Sequence, residues 1–262
     1  MSADPSALVR DLLTMSWRDA LFAHWRVERG GLAERLPPGL EPATRDGAVW
    51  VGIVVFEMAD IRPRGSPVGR GFGEVNLRTY VEGSDGGSGV YFLSLDADDE
   101  VGVGVARAAY DLPYYRARVD LSRDGDRVTV QSSRVHGGAP AAALDATYRP
   151  TGGEATPADP GSLGAFLTEH YRFYLPDDRV GQIAHDPWEL TGAELDLRRE
   201  SLFAAAGLER PETDPVLHYS PGSEVTAGGV ERVEAGDRGD GAGDLRVTVE
   251  AGERQAADGG RR

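Results

Sequence analysis

Glu74-Val75-Asn76-Leu77-Arg78-Thr79-Tyr80-Val81 alternates between two kinds of side chain with a period of two. Val75, Leu77, Thr79 and Val81 share one face of an extended chain, and Glu74, Asn76, Arg78 and Tyr80 share the other, because successive side chains of a strand point to opposite sides. The stretch from Phe72 to Glu82 therefore reads as a strand. A Gly/Ser/Asp turn from Gly83 to Gly89 folds it back into Val90 to Leu95 as a hairpin. What the polar face sees decides the character of the molecule. Facing outward, it is an ordinary solvated face. Facing inward, it lines a polar cavity, because groups spaced about 7 Å apart along a strand are costly to bury without a ligand or each other.

Upstream, Ala48 to Met58 is Val/Ile-rich and apolar on both faces, as expected of a central strand covered on both sides. Trp17 to Val27 could begin another strand, and Leu36-Pro37-Pro38-Gly39-Leu40 makes a rigid turn. Before these, Ser6 to Thr14 is expected to form a short helix capped by Asp4 or Ser6. Downstream, Asp98 and Asp99 cap an expected helix through Ala109, weakened by Gly102 and Gly104. Tyr114 to Ser122 turns at Arg123-Asp124-Gly125-Asp126 into Arg127 to Val135, and Asp-Gly between alternating runs is a strong hairpin signal. Ala143 to Arg149 continues this sheet. Ser162 caps a helix expected to carry Leu163, Phe166, Leu167, Tyr171 and Tyr174 on one side. Short strands near Val180 to His185 and Glu194 to Leu197, a helix near Arg199 to Ala206 and a strand at Val216 to Tyr219 follow.

Beyond Ser220 the chain is rich in Gly and acids. The expected layout is an N-terminal helical extension over residues 1–14, a domain over 15–220, and an acidic, Gly-rich, disordered tail over 221–262 with at most one isolated strand at Leu245 to Glu250. The fold class is α+β: a predominantly antiparallel, strongly curved or closed sheet with flanking helices.

Composition removes several functions. The 262 residues contain no cysteine, so no disulfide, thiolate metal site or cysteine nucleophile is available. All 28 basic residues are arginine, although on the order of a dozen lysines is ordinary at this length. GC-rich coding accounts for part of that bias but not for the net charge of -15. So acidic a surface repels itself unless salt screens it, and screening to about 3 Å needs molar salt. A salt-accumulating source is the expectation. The melting temperature should then rise from dilute buffer to molar potassium chloride, and a flat or falling curve removes the idea. The same charge argues against a nucleic-acid partner. No stretch approaches the roughly 20 apolar residues of a membrane span, and Met1 to Leu13 lacks the pattern of a signal peptide, so a cytoplasmic protein is expected.

Tyr114, Arg116 and Arg118 share a strand face opposite Tyr115, Ala117 and Val119. Arginines beside tyrosines suit a carboxylate or phosphate ligand, and equally suit salt bridges to the abundant acids. The histidines, His24, His136, His170, His185 and His218, lack helical metal-site spacing, and no metal or other cofactor is expected. Gly161-Ser162-Leu163-Gly164 lacks the spacing of a nucleophile elbow, and a phosphate loop needs a lysine that is absent.

Met15-Ser16-Trp17-Arg18-Asp19-Ala20-Leu21-Phe22-Ala23-His24-Trp25, Leu36-Pro37-Pro38-Gly39-Leu40, Trp50-Val51-Gly52, Glu74 to Val81, Phe92-Leu93-Ser94-Leu95-Asp96, Leu112-Pro113-Tyr114-Tyr115, Tyr148-Arg149-Pro150-Thr151-Gly152 and Phe166-Leu167-Thr168-Glu169-His170-Tyr171 come in an order that resembles the YqjF-like family of uncharacterised proteins. The resemblance covers residues 15 to 220. That family resembles the acetoacetate decarboxylase superfamily, which implies a cone-shaped β-barrel with an interior cavity, and so turns Glu74, Asn76 and Arg78 inward. The decarboxylase forms a Schiff base between a lysine and its keto acid, and a neighbouring cation depresses the pKa of that lysine. Near Tyr114 and Tyr115, where the resemblance puts the lysine, this chain has tyrosines.

Schiff-base decarboxylation is thus excluded by inventory, and three expectations remain. One is a barrel that binds an organic acid or other metabolite through Asn76, Arg78, Tyr80 and Arg116. Another is a lysine-independent acid/base enzyme acting on a keto acid, with Glu74 as base and Tyr114 or Tyr115 as proton donor, a tyrosine that would need a cation such as Arg116 to titrate near neutrality. The third is a scaffold with a filled barrel. A small molecule is the expected partner, and a homo-oligomer is left open.

Overall fold

The structure, a computed structural model, describes residues 12–99, 103, 107 and 110–233. Its centre is the hairpin read from the alternation: β4 (Arg70–Glu82) turns into β5 (Ser88–Ala97), with Asn76 opposite Leu95. On its other side β4 pairs with β3 (Val49–Pro63), and β3 with β1 (Leu13–Val27). β1 then pairs with β13 (Val216–Arg232), β13 with β11 (Arg179–His185) and β11 with β10 (Arg172–Leu175), all antiparallel. A parallel pairing of β10 with β5 closes the ring. Seven strands thus form a barrel with no free edge between β4 and β5. β2 (Glu41–Pro42) lies along β4.

A second antiparallel sheet leans on the outside of this barrel. It consists of β6 (Tyr114–Asp124), β7 (Arg127–Arg134), β8 (Ala143–Pro150) and β12 (Glu189–Glu200), with the two-residue β9 (Thr156–Pro157) at its end. β6 joins it in parallel to β5, and β12 joins it to β13 at Thr191 and Gly192. Among the described residues short helices fill in, including α1 (Arg29–Ala33), α2 (Leu163–Thr168) and α3 (Leu202–Ala205). Among the described residues no helix is long and apolar enough to cross a membrane.

The two layers explain why β4 is buried on both faces. Val75 and Leu77 point out of the barrel into a core shared with Ala117, Val119, Val128 and Val130 of the second sheet. That sheet approaches so closely that a Cβ on Gly73 would sit 2.6 Å from Val119. Glu74, Asn76, Arg78 and Tyr80 point inward and are buried as well. At Asp19 the pairing of β1 with β3 shifts register and the backbone takes a positive φ of 50°. Its carboxylate accepts from Arg123 Nη1 and Tyr219 Oη, and its carbonyl from Tyr148 Oη, so three strands hold the bulge.

Several elements differ from the sequence reading. Residues 221–232 are not tail: they are the second half of β13, bonded to β1 on one side and β11 on the other, with Val225 and Ala227 buried. Their alternation is masked by flanking glycines and acids, and pairing on both edges supplies the order that composition did not. Leu13 and Thr14 start β1 rather than ending a helix, and the rest of Ser6 to Thr14 lies outside the described residues, as does Leu245 to Glu250. α2 stops at Thr168, so Tyr171 leaves it and Tyr174 belongs to β10. β12 runs on to Glu200, which shortens the helix expected at Arg199 to Ala206 to α3. Most of the helix expected at 98–109 lies outside the described residues, although Val103, Arg107 and Tyr110 are helical.

Candidate ligand cavity

Strand register lays the barrel interior out in rows. His24 of β1, Gly52 of β3, Arg78 of β4 and Phe92 of β5 form one, and Phe22, Val54, Asn76 and Leu95 form the next. Phe56 and Glu74 stand opposite each other in the third. Around these rows lies a cavity of about 150 Å³, lined by Glu74, Asn76 and Arg78 in a column and otherwise mostly by apolar and aromatic side chains such as Phe22, Phe56, Phe92 and Trp188. Dry apolar cavities of about this volume admit a molecule the size of benzene.

Arg78 stands at one end with little exposure, 8%. Its Nη2 donates to the Leu167 carbonyl at 3.1 Å, near the C-terminus of α2, where carbonyls lack helical partners. Its Nε has no hydrogen-bond partner among the described residues, and none of their acids lies within 4 Å of it. The faces of Phe22 and Tyr80, at 5.5 and 5.8 Å from the guanidinium carbon, soften the burial. Elsewhere the chain pairs its buried charges. Arg134 holds Asp96 through two bonds of 2.7 and 2.6 Å, and Arg172, also at the cavity, is paired with Asp85. Among the described residues Arg78 has no such acid partner, and Glu74 has no basic one.

Behind Arg78 the donors can be assigned. Tyr80 Oη gives its proton to the Leu167 carbonyl at 2.5 Å, so His24 Nε2, 2.6 Å away, must donate to Tyr80. Likewise His170 Nε2 donates to the Phe166 carbonyl, which leaves Nδ1 as its acceptor, and its ring stacks on Tyr80 at 4.7 Å. Burial, reinforced by the Arg78 charge, holds His24 well below the usual histidine range and His170 down at about 4. Both are neutral at pH 7. The room for His24 comes from Gly52, since a Cβ there would lie 2.4 Å from His24 Cδ2. Gly52→Ala should therefore push the imidazole off Tyr80 and cost about 1–3 kcal/mol of stability by overpacking, read from urea unfolding. An unchanged midpoint would show that the ring can yield.

At the other end Glu74 Oε2 accepts from Tyr114 Oη at 2.8 Å and Oε1 from Asn76 Nδ2 at 3.2 Å. Burial outweighs these bonds and pushes the Glu74 carboxyl up to about 7. Tyr114 is driven well above the usual phenol range by burial and by Glu74, so it is a fixed hydrogen-bond donor rather than a proton source. Asn76 Oδ1 is buried without a partner among the described residues.

The structure brings together Glu74, Asn76, Arg78 and Tyr114 of the residues singled out in the sequence. It does not bring Tyr115 or Arg116 to the cavity. Tyr115 alternates to the opposite side of β6 from Tyr114, where Arg134 lies over its ring at 3.9 Å. Arg116 is exposed, its backbone amide donating to His136 Nδ1. Both residues are still paired with β5, Tyr115 opposite Asp96 and Arg116 opposite Ala97, at the point where β6 passes from the barrel to the second sheet, whose pairing with β7 starts at Ala117. Tyr80 is buried behind Arg78, bonded to His24 and to the Leu167 carbonyl, and is not part of the lining. Sequence reasoning missed His170, Thr168, Trp17 and Trp188, which do line the cavity. Trp17, Thr168 and His170 sit in motifs noted above, but histidine spacing along a chain speaks only to metal ligation.

Residues 14–224 match the DUF2071 family, described as an uncharacterized conserved protein. The uncharacterized protein YqjF of Bacillus subtilis (strain 168) is 37% identical over 220 residues, spanning 82% of this chain and 89% of that one. Among solved structures, acetoacetate decarboxylase from Legionella pneumophila aligns with a TM-score of 0.59 at 15% identity, covering 85% of this chain and 87% of its own. The enduracididine biosynthesis enzyme MppR, complexed with pyruvate, aligns at 0.59 and 16% identity over 88% and 94% of the two chains. An acetoacetate decarboxylase-like enzyme from Sphingomonas wittichii RW1 aligns at 0.57 and 16%, over 88% and 98%. Such low identities speak to the fold alone, whereas the family match and the bacillary relative speak to descent: the chain belongs to the DUF2071 family and has the acetoacetate-decarboxylase-like barrel fold.

Proposed function

We propose that this barrel binds a small organic acid, with Arg78 as its carboxylate anchor, and carries out no Schiff-base chemistry. The observation that carries the reading is the buried guanidinium without an acid partner. A buried cation left unpaired is destabilising, and a chain that pairs Arg134 and Arg172 has the means to pair this one too. A carboxylate entering the cavity would meet the free Nε and an Nη in the fork geometry that guanidinium offers. The mainly apolar wall suits the remainder of such a molecule, and MppR on the same fold is complexed with a carboxylate of this size, pyruvate. The cavity itself weighs against a filled scaffold.

Thermal-shift measurements with short-chain, aromatic and keto carboxylic acids, each beside its primary amide, test this. Acids should raise the melting temperature and the amides should not. Equal responses, or none, would remove the reading.

One observation favours the acid/base enzyme as a second reading. Glu74 is held at about 7 in a cavity with a tyrosine hydroxyl 2.8 Å away, which suits a general base near neutrality. Product formation from a keto acid, abolished in Glu74→Gln, is the result that would establish it.

A further inference from the structure

We propose that the acid held in this cavity is a zwitterion carrying an amine at its far end, with its carboxylate on Arg78 and its ammonium between Glu74 and the amide oxygen of Asn76. The proposal rests on the reading of Arg78 as carboxylate anchor and extends it along the same strand face. Glu74 and Arg78 both line the cavity, and each is buried. They lie four positions apart on β4, so their Cα atoms stand roughly 13 Å apart. Among the described residues Glu74 has no ion-pair partner, as Arg78 has none. Two opposite, unpaired groups at the two ends of one cavity are complementary to a molecule bearing the reverse pair.

The hydrogen-bond inventory points to the same end group. Tyr114 Oη and Asn76 Nδ2 occupy one site on each Glu74 oxygen and leave each a further lone pair. Asn76 Oδ1 is buried and has no partner at all among the described residues. Of the unsatisfied atoms around this end, those of Glu74 and Asn76 are acceptors, while the indole Nε1 of Trp17, also without a partner among the described residues, is a donor. An ammonium offers three donors and no acceptor. A hydroxyl offers one donor, a methyl group none, and a second carboxylate brings more acceptors and a like charge. The surroundings are aromatic: Phe56 stands opposite Glu74 in register and stacks on Trp17 at 4.7 Å, which in turn stacks on Trp188 at 5.6 Å. Between the two ends Phe22, Val54 and Leu95 form an apolar wall suited to methylenes.

Calorimetric titration of the full chain tests this with straight-chain acids of four, six and eight carbons, each ending in methyl, hydroxyl, carboxyl or amine, and with the matching alkylamines. At the best-fitting length the amine-terminated acid should bind about tenfold or more tightly than the methyl-terminated one, and Glu74→Gln should erase that preference. Equal or tighter binding of the methyl-, hydroxyl- or carboxyl-terminated acid overturns the zwitterion while leaving Arg78 as an acid anchor. An alkylamine binding as well as its amino acid overturns both, and so does the absence of binding by every acid. A preference that survives Glu74→Gln also overturns the proposal. If that variant does not fold, the order of the four end groups on the unaltered protein decides.

Discussion

Replacing Arg78 by methionine is expected to weaken carboxylate binding about 100-fold while leaving the empty protein as stable as before, or more so. These two effects usually oppose each other when a core residue is changed, and here one physical cause produces both. The guanidinium is buried, its Nε is unpaired, and what it loses in hydration is returned only by one bond to the Leu167 carbonyl and by two ring faces. Methionine keeps much of the volume and removes the charge. The Leu167 carbonyl keeps Tyr80 Oη as a donor, so no acceptor is orphaned. Exchanging buried charges for packed apolar groups is often neutral or stabilising, and a gain of about 1–2 kcal/mol in urea unfolding is expected. An acid that loses its buried, hydrogen-bonded counter-charge should bind about 100-fold more weakly, some 3 kcal/mol. A large loss of stability with binding intact would mean that Arg78 holds the barrel together instead of holding a ligand.

The second large effect concerns Glu74 and pH. Burial raises its carboxyl from an ordinary value near 4.5 to about 7. Between those two pH values the folded protein keeps a proton that the unfolded chain has released, so stability falls as pH rises through the window and levels off above it. The full difference amounts to about 3 kcal/mol. His170 is displaced the other way, down to about 4 from 6.5, and so adds stability as pH rises over an overlapping range. The curve of the unaltered protein is their sum, together with the contributions of other groups. The difference between it and Glu74→Gln isolates the carboxyl. That variant should match the unaltered protein near pH 4 and exceed it by about 3 kcal/mol near pH 8. Tyr114 can still donate to the glutamine oxygen, and Asn76, with its amide turned, can accept the glutamine N–H on the oxygen that is now unpaired. A difference that does not grow with pH would show that Glu74 titrates normally.

The fold is legible in the sequence where a period of two survives in the residues. β4 and β7 are, because their side chains alternate and their turns carry Gly and Asp. The second half of β13 is not, because its glycines and acids resemble a solvated tail and its order comes from partners as distant as Met15 and Ile183. α2 is shorter than its apolar stripe suggests, since Phe166, Leu167, Tyr171 and Tyr174 fit a helical spacing although the chain bends away at Glu169. The site is half legible. Glu74, Asn76 and Arg78 stand on one strand face whatever the fold, but His24 and His170 reach them across 54 and 92 residues of chain, counted back and forward from Arg78.

Some properties depended on the residues alone. With no lysine among the 262 residues, no lysine side chain was available for a Schiff base before any geometry, and the polar column of β4 was set by the two-residue repeat of an extended backbone. Tertiary structure decided which way that column looks. Closure of the ring through β5 and β10, with a second sheet packed against the outside, turns the charged face of β4 into the barrel and buries its apolar face as well. Local alternation can divide a strand into two faces, but it carries no sign for inside and outside, because that sign belongs to strands remote in the chain.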